Sequence, residues 1–289
     1  MRFGINTFLV SADFTDADAY RLEELHSYGA EFIELAIVNP TLVSAPILRK
    51  SLASARSEKP VICGAFFNGR DMRGSKESQL RSVQYIKALI LLAKEIGSEI
   101  ICGPIYSEGG RCNFNSPTEN QEQLRCVVSH LQEICEIAEK DGIVIALEPL
   151  NRFETDFINT IEQGVDLINL VGSSALKIHA DTFHMNIEEE NTASSLMKFG
   201  DYIGHIHASA NHRGIIGKDQ IDWIAFFKAL KEINYKGDIA IESFSRSNQK
   251  LAEAASIWRS FYDNPKQYAE TSLGFLKRTW KNLCYKNLN

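Results

Sequence analysis

No stretch of this 289-residue sequence is long and apolar enough to read as a membrane-spanning helix. The longest apolar-looking segment, Tyr85 to Tyr106, is broken by Lys87, Lys94, Glu95 and Glu99, and reads as a helix followed by a strand. The amino terminus, Met1-Arg2-Phe3-Gly4-Ile5, lacks a positive region followed by an apolar segment, so the expected location is cytoplasmic. Cys-x-x-Cys spacing is also missing. The six cysteines, Cys63, Cys102, Cys112, Cys126, Cys135 and Cys284, therefore predict buried or incidental thiols, with neither a disulfide framework nor a zinc finger. Positive charge is scarce: 31 Lys and Arg face 37 Asp and Glu, a net charge of −6. That balance offers no basic footprint for a phosphate backbone, so neither nucleic acid nor membrane is an expected partner and a small neutral substrate fits better. Low-complexity tracts, biased linkers and short tandem repeats are absent too, which leaves a two-domain division without support.

What is present is a steady alternation of short apolar runs with amphipathic segments, the signature of a parallel α/β fold. The runs are Phe3 to Phe8, Glu31 to Ala36, Val61 to Phe66, Glu99 to Gly103, Ile143 to Glu148, Leu176 to Asp181, Tyr202 to His207 and Asp238 to Glu242. Between and after them, helices are expected over Thr15–Tyr28, Leu42–Ser57, Ser78–Ile96, Asn120–Lys140, Thr160–Val171, Thr192–Phe199, Trp223–Ile233 and Ala269–Lys286. Asp141-Gly142 and Gly172-Ser173-Ser174 fit helix stops ahead of the next run. Eight strands are what a closed barrel needs, and about 250 residues is its common size. The expectation is one domain over residues 1–289, folded as a single (β/α)8 TIM barrel.

Four of the runs end on a metal-ligand residue: Glu148, Asp181, His207 and Glu242. In such a barrel the carboxyl ends of the strands face the catalytic mouth, so the four side chains can meet there. Three carboxylates and an imidazole form an oxygen-rich set suited to Mn²⁺, Mg²⁺ or Co²⁺. Four protein ligands leave positions open on a six-coordinate ion, which a substrate with adjacent oxygens can fill. Further polar groups follow the same strand ends: Glu154 after Glu148, His184 after Asp181, and Arg213 after His207. One ion does not need so many ligands, and these three fit hydrogen bonding to a polyhydroxylated molecule. Phe8, Phe66, Asn68 and Tyr106 lie at strand ends or loops where the far end of that molecule could reach.

Several segments carry a resemblance. Glu148-Pro149-Leu150-Asn151-Arg152-Phe153-Glu154-Thr155, the block from Asp181 to Glu189, and His205-Ile206-His207 with Arg213-Gly214 resemble the ketose 3-epimerases, the D-tagatose, D-psicose (allulose) and L-ribulose 3-epimerases within the xylose isomerase-like barrels. The similarity runs on through Gly103-Pro104-Ile105-Tyr106, Glu242-Ser243-Phe244 and Ile257-Trp258-Arg259, and is looser in the first third. It implies a divalent metal, Mn²⁺ first with Co²⁺ or Mg²⁺ as alternatives, on Glu148, Asp181, His207 and Glu242. It also implies Glu148 and Glu242 as the acid/base pair, Glu154, His184 and Arg213 around the substrate's carbonyl end, and a homodimer or homotetramer.

The chemistry agrees with that implication. A ketose carbonyl at C2 acidifies the C3 hydrogen, and two glutamates on opposite faces of a planar cis-enediolate can remove and return the proton with inversion. Two departures from the family stand out: Ala210 occupies a loop position where many members carry glutamate, and the first strand lacks a tryptophan found in several. Rival readings are an aldose–ketose isomerase on the same metal site, an endonuclease IV-like nuclease, against which the acidic balance and only seven histidines count, and a sugar-binding protein without catalysis.

Overall fold

The computed structural model describes residues 1–67, 69–246 and 249–285. Among these, eight parallel strands close a barrel in sequence order: β1 (Phe3–Asn6), β2 (Ile33–Ala36), β3 (Val61–Cys63), β4 (Ile100–Gly103), β5 (Val144–Leu147), β6 (Leu176–Asp181), β7 (Ile203–Ala208) and β8 (Ile239–Ile241). The expected α/β barrel is therefore the observed one. Around it run α1 (Arg21–Ser27), α2 (Ala45–Ser54), α3 (Lys76–Ile96), α4 (Pro117–Asp141), α5 (Ile161–Val171), α6 (Thr182–Glu188), α7 (Thr192–Lys198), α8 (Trp223–Glu232), α9 (Gln249–Ala254) and α10 (Pro265–Tyr285).

Local capping explains where the elements begin and end. The apolar run at the amino terminus stops short of Phe8 because the Asn6 side chain accepts a hydrogen bond from the Phe8 N–H at 2.8 Å and bends Thr7–Leu9 into a 3-10 turn. Ser116 and Glu119 form a reciprocal capping box that starts α4 earlier than its apolar periodicity suggests, and Gly142 stops it in a left-handed conformation. Two helices have no counterpart in the sequence reading. Of these, α6 follows β6 without a loop, because Asp181 closes the strand and its carboxylate caps the helix by accepting from the Phe183 N–H at 2.8 Å.

The strands alternate in which way they face. Ile5, Ile33, Leu35, Ile62, Ile101, Ile145, Ile178, Ile206 and Ile241 join the cluster that packs against the helices, and their neighbours one residue away point into the barrel. A barrel interior is ordinarily filled by branched aliphatic side chains. Here the inward set includes Asn6, Glu34, Cys102, His179 and His205, all 0% exposed. Two residues further along their strands stand Asp181 and His207, so polar groups occupy two successive inner layers.

One backbone position holds β4 and β5 together at the mouth. Gly103 sits at φ +119°, and a Cβ built there would lie 2.0 Å from the Gly64 carbonyl oxygen. Its own carbonyl accepts from the Glu148 N–H at 3.2 Å, fixing the backbone of a candidate site residue. Gly103→Ala is expected to destabilise the fold by about 3 kcal/mol or more through strain and that clash, read as a fall in denaturation midpoint. An unchanged midpoint would mean that the β3–β4 mouth adjusts freely.

Candidate active site

Glu148 and Glu242 stand one residue beyond β5 and β8, Asp181 ends β6, and His207 lies next to last in β7. All four are buried. Ligand atoms of Glu148, Asp181 and His207 lie within 4.8 Å of one another, a spacing that could hold an ion. Glu242 joins from the far side: its Oε1 is 3.6 Å from His207 Nδ1. His207 Nδ1 is buried and has no hydrogen-bond partner, an unusual state for a ring nitrogen unless something else is to occupy it.

The reason His207 leaves Nδ1 free is a residue that the strand-end pattern does not reveal. Glu34, in the middle of β2 and 0% exposed, accepts from Nε2 of both His205 and His207 and from Asn6 Nδ2 at 2.6 Å. One carboxylate thus fixes the orientation of two imidazoles and commits Nε2 of His207 to the barrel interior. Burial opposes ionisation of Glu34, but His207 and His205 outweigh it and hold the carboxyl well below the usual range.

Arg213 closes the other side. It is held in a left-handed turn (φ +60°) by its N–H to the Ala210 carbonyl at 2.8 Å and by the Ser243 hydroxyl, which donates to the Arg213 carbonyl. The turn aims the guanidinium inward: Nη1 donates to Asp181 Oδ2 at 2.9 Å and to Glu242 Oε2 at 2.8 Å, with the Phe183 ring 3.9 Å away. Ala210, at the position where the family commonly has glutamate, is fully buried beneath this turn.

His184 faces Arg213 from α6. The Asn151 backbone N–H can only donate, and it donates to His184 Nδ1 at 3.0 Å, so the neutral ring carries its proton on Nε2. Burial and the neighbouring Arg213 push its proton affinity well down, which keeps it neutral. Nε2 then lies 3.3 Å from Arg213 Nη2, two donors side by side with no acceptor between them. Asn151 also donates from Nδ2 to Glu154 Oε1 at 2.8 Å, tying Glu154 to the same assembly. Asn151 is a second residue whose part was not evident, although it lies inside the motif that includes Glu148 and Glu154.

Glu148, Asn151, Glu154, His184, Arg213 and Glu242 line a cavity of about 650 Å³ that also contacts Phe8, Phe66, Phe153, Phe183 and Phe244. Phe8 and Phe66 thus reach the place expected of them. Tyr106 does not: it is fully buried and its hydroxyl donates to the Glu148 carbonyl at 3.0 Å, a supporting role. Asn68 lies outside the described residues.

The two glutamates differ electrostatically. Burial raises the Glu148 carboxyl well above the ordinary range, with Glu242 and Asp181 adding to the rise against the pull of His207. For Glu242 burial also acts upward, but His207 and Arg213 overcome it and leave the group lowered. Left to the protein's own side chains, Glu148 favours the acid and Glu242 the carboxylate.

Glu34→Gln supplies one acceptor oxygen where two Nε2–H donors converge, and is expected to cost roughly 3 kcal/mol in urea denaturation at neutral pH. Because the folded-state affinity of Glu34 for a proton is depressed, its stabilisation is present above the unfolded carboxyl value of about 4.3 and is lost as pH falls through the lower folded value. The gap between wild type and variant should therefore close below about pH 4. A gap independent of pH would remove ionised Glu34 from the account.

Comparison with known proteins agrees with this architecture. The xylose isomerase-like TIM barrel family model matches residues 22–279. An L-ribulose 3-epimerase of Mesorhizobium japonicum is 30% identical over 278 residues, covering 95% of this chain and 93% of that protein. A probable ketose 3-epimerase of Synechocystis is 29% identical over 282 residues, 97% of each chain. Among solved structures, an L-ribulose 3-epimerase superposes with a TM-score of 0.91 at 28% identity, covering 99% of this chain and 96% of the other. A D-allulose 3-epimerase of Methylomonas in complex with D-allulose gives 0.90 at 27% identity, covering 96% and 97%. The chain belongs to the xylose isomerase-like TIM barrel family, among its ketose 3-epimerases, a group of carbohydrate-acting isomerases.

Proposed function

We propose that this protein epimerises free ketoses at C3, with Glu242 and Glu148 as the two proton-transfer groups on opposite faces of the substrate. The observation that carries this reading is geometric: two buried glutamates, Glu148 and Glu242, stand at one barrel mouth around Asp181 and His207, with Arg213 Nη2 and His184 Nε2 converging beside them. A racemising exchange at carbon needs one group able to accept a proton and one able to give it.

The donor set fits a divalent cation: oxygens of Glu148, Asp181 and Glu242, and the unpartnered His207 Nδ1. When bound there, Mn²⁺ or a similar hard ion would supply Lewis-acid stabilisation of negative charge developing on the C2 oxygen. The remaining work belongs to side chains. Arg213 Nη2 and His184 Nε2 are two donors converging on one point, suited to a substrate carbonyl or hydroxyl oxygen. Glu154, held by Asn151, accepts from a neighbouring hydroxyl. Glu242 takes the C3 proton, giving a planar cis-enediolate, and Glu148 returns a proton to the other face. One turnover leaves the two carboxyl groups exchanged in protonation, and they must re-equilibrate before the next. The aromatic walls formed by Phe8, Phe66 and Phe153 limit water around the carbanion-like intermediate.

The test is incubation with a panel of ketohexoses and ketopentoses plus Mn²⁺ in deuterated water. A new ketose carrying deuterium at C3 is expected, whereas an aldose product would establish the isomerase alternative instead. Glu148→Gln and Glu242→Gln should each lower C3 exchange by at least about 1000-fold, and near-normal exchange in either variant would overturn the two-base scheme. For the direction begun by Glu242, activity should fall at low pH as Glu242 gains a proton and fall at high pH as Glu148 loses one. A bell-shaped kcat/KM profile is expected, with its acid limb displaced in Arg213→Lys.

A further inference from the structure

The inner layer beneath the proposed catalytic groups has a different donor chemistry. On β6 and β7, His179 and His205 are directly paired, two residues before Asp181 and His207, and on β3 and β4 Cys63 and Cys102 are paired in the same way. Ligand atoms of Cys102, His179, His205 and His207 all lie within 4.8 Å of one another, and all four residues are 0% exposed. The His179 ring lies 4.0 Å from the His207 ring and 5.1 Å from that of His205.

Hydrogen bonding accounts for only part of this packing: Nε2 of His205 and of His207 donate to Glu34, and the Cys102 thiol donates to Glu34 Oε2 at 3.6 Å, whereas His179 is left over. Neither ring nitrogen of His179 makes a hydrogen bond, Nδ1 lying 3.6 Å from Glu148 Oε2, although a buried imidazole ordinarily satisfies at least one nitrogen; Nδ1 of His205 makes none either. Three imidazoles and a thiol converge on one region, with Glu34 and Cys63 alongside, and an ion there would take the place of Glu34 as the partner of His205, His207 and Cys102. The donors are nitrogen and sulfur, the set that selects zinc-like ions, whereas the layer above presents mainly carboxylate oxygen. A tetrahedral ion with such ligands needs donor atoms roughly 3.3–3.8 Å apart, so a contraction of about 1 Å would close the site. Cys63 also lines the active-site cavity, which gives an approach from the mouth.

We propose that this inner layer binds a thiophilic divalent cation, Zn²⁺ or Cd²⁺, through Cys102, His179 and His205, with His207 as the fourth ligand. As the sulfur–metal bond forms, the Cys102 thiol releases its proton to solvent, and an imidazole that ligates through the Nε2 now bonded to Glu34 carries its proton on Nδ1 instead, with no change of oxidation state. Because His207 faces both layers, a soft ion below draws this imidazole from the oxygen-rich set above. The inner site is thus antagonistic to the proposed catalytic ion, and excess Zn²⁺ or Cd²⁺ acts as an inhibitor from beneath.

The experiment reads binding directly and requires no turnover, so it stands or falls apart from the epimerase reading. Full-length protein is titrated with Cd²⁺ while the ultraviolet thiolate-to-cadmium charge-transfer band is followed. One equivalent of band is expected in wild type, in Asp181→Asn, which depletes the upper layer, and in Cys112→Ser, which removes an exposed thiol. Cys102→Ser should abolish the band, and His179→Gln should keep it while weakening Cd²⁺ at least 10-fold. With Co²⁺, wild type should add the intense visible bands of a tetrahedral sulfur-ligated ion, absent from Cys102→Ser. Circular dichroism and the denaturation midpoint verify that each variant is folded. If Cys102→Ser proves unstable, Cys102→Ala and the Co²⁺ spectrum of wild type decide the question. A band that survives in folded Cys102 variants, or wild-type Co²⁺ spectra with only weak octahedral bands, would overturn the proposal.

Discussion

The arrangement of this barrel depends on one buried carboxylate. Glu34 lies in the centre of the closed sheet, where an unpaired charge would be prohibitively costly, and it is tolerated because Asn6, His205 and His207 all donate to it. That requirement propagates outward. Asn6 must turn its amide toward Glu34, and its other side-chain atom ends β1 by accepting from Phe8. His207 must present Nε2 to the interior, which leaves Nδ1 toward Glu242 and the mouth. A single interior interaction therefore determines which face of an imidazole the active site receives.

Above that anchor, near-identical side chains acquire different properties from their surroundings. Glu148 and Glu242 share residue type, strand position and burial, yet Glu242 has His207 Nδ1 at 3.6 Å and Arg213 Nη1 at 2.8 Å, whereas the neighbouring carboxylates of Glu242 and Asp181 push Glu148 further up. Coulomb interactions in a poorly hydrated pocket are large enough to separate the two groups in opposite directions. His207 is the larger pull on Glu242 and Arg213 adds to it from a strained turn: the left-handed backbone at Arg213, held by Ala210 and Ser243, brings the guanidinium to Glu242. Local backbone strain is thus linked to proton affinity several residues away in space.

The barrel and the mouth were legible in the sequence because both write themselves at strand ends. Glu148, Asp181, His207 and Glu242 each close an apolar run, and the fold brings ligand atoms of the first three within 4.8 Å of one another, with Glu242 Oε1 3.6 Å from His207. Glu34 was not legible, since a glutamate inside Glu31-Phe32-Ile33-Glu34-Leu35 resembles a solvated strand residue; only its alternation with Phe32 and Ala36 marks the inward face. Cys102 and His179 were expected inside, but their proximity was hidden for a related reason. Their proximity comes from barrel closure across strands far apart in the chain, and no local spacing encodes it. The short α6 escaped because seven residues carry too little periodicity, and its start depends on an aspartate that also closes a strand.

The carboxylate oxygens at the mouth are already engaged, but not exhausted. Asp181 gives Oδ1 to the Phe183 N–H and Oδ2 to Arg213, while Glu242 gives Oε2 to Arg213 and keeps Oε1 toward His207. An ionised carboxylate has about four acceptor positions, so each retains capacity after these contacts. The existing bonds restrict the side-chain torsions, and ligand atoms of Asp181 and Glu148 stay within 4.8 Å of one from His207. Preorganisation of this kind lowers the entropic cost of bringing a cation or substrate oxygen into place. It also accounts for Arg213 being an arginine: one nitrogen, Nη1, bridges two carboxylates while Nη2 faces His184, a division that the single ammonium of lysine cannot reproduce in fixed geometry.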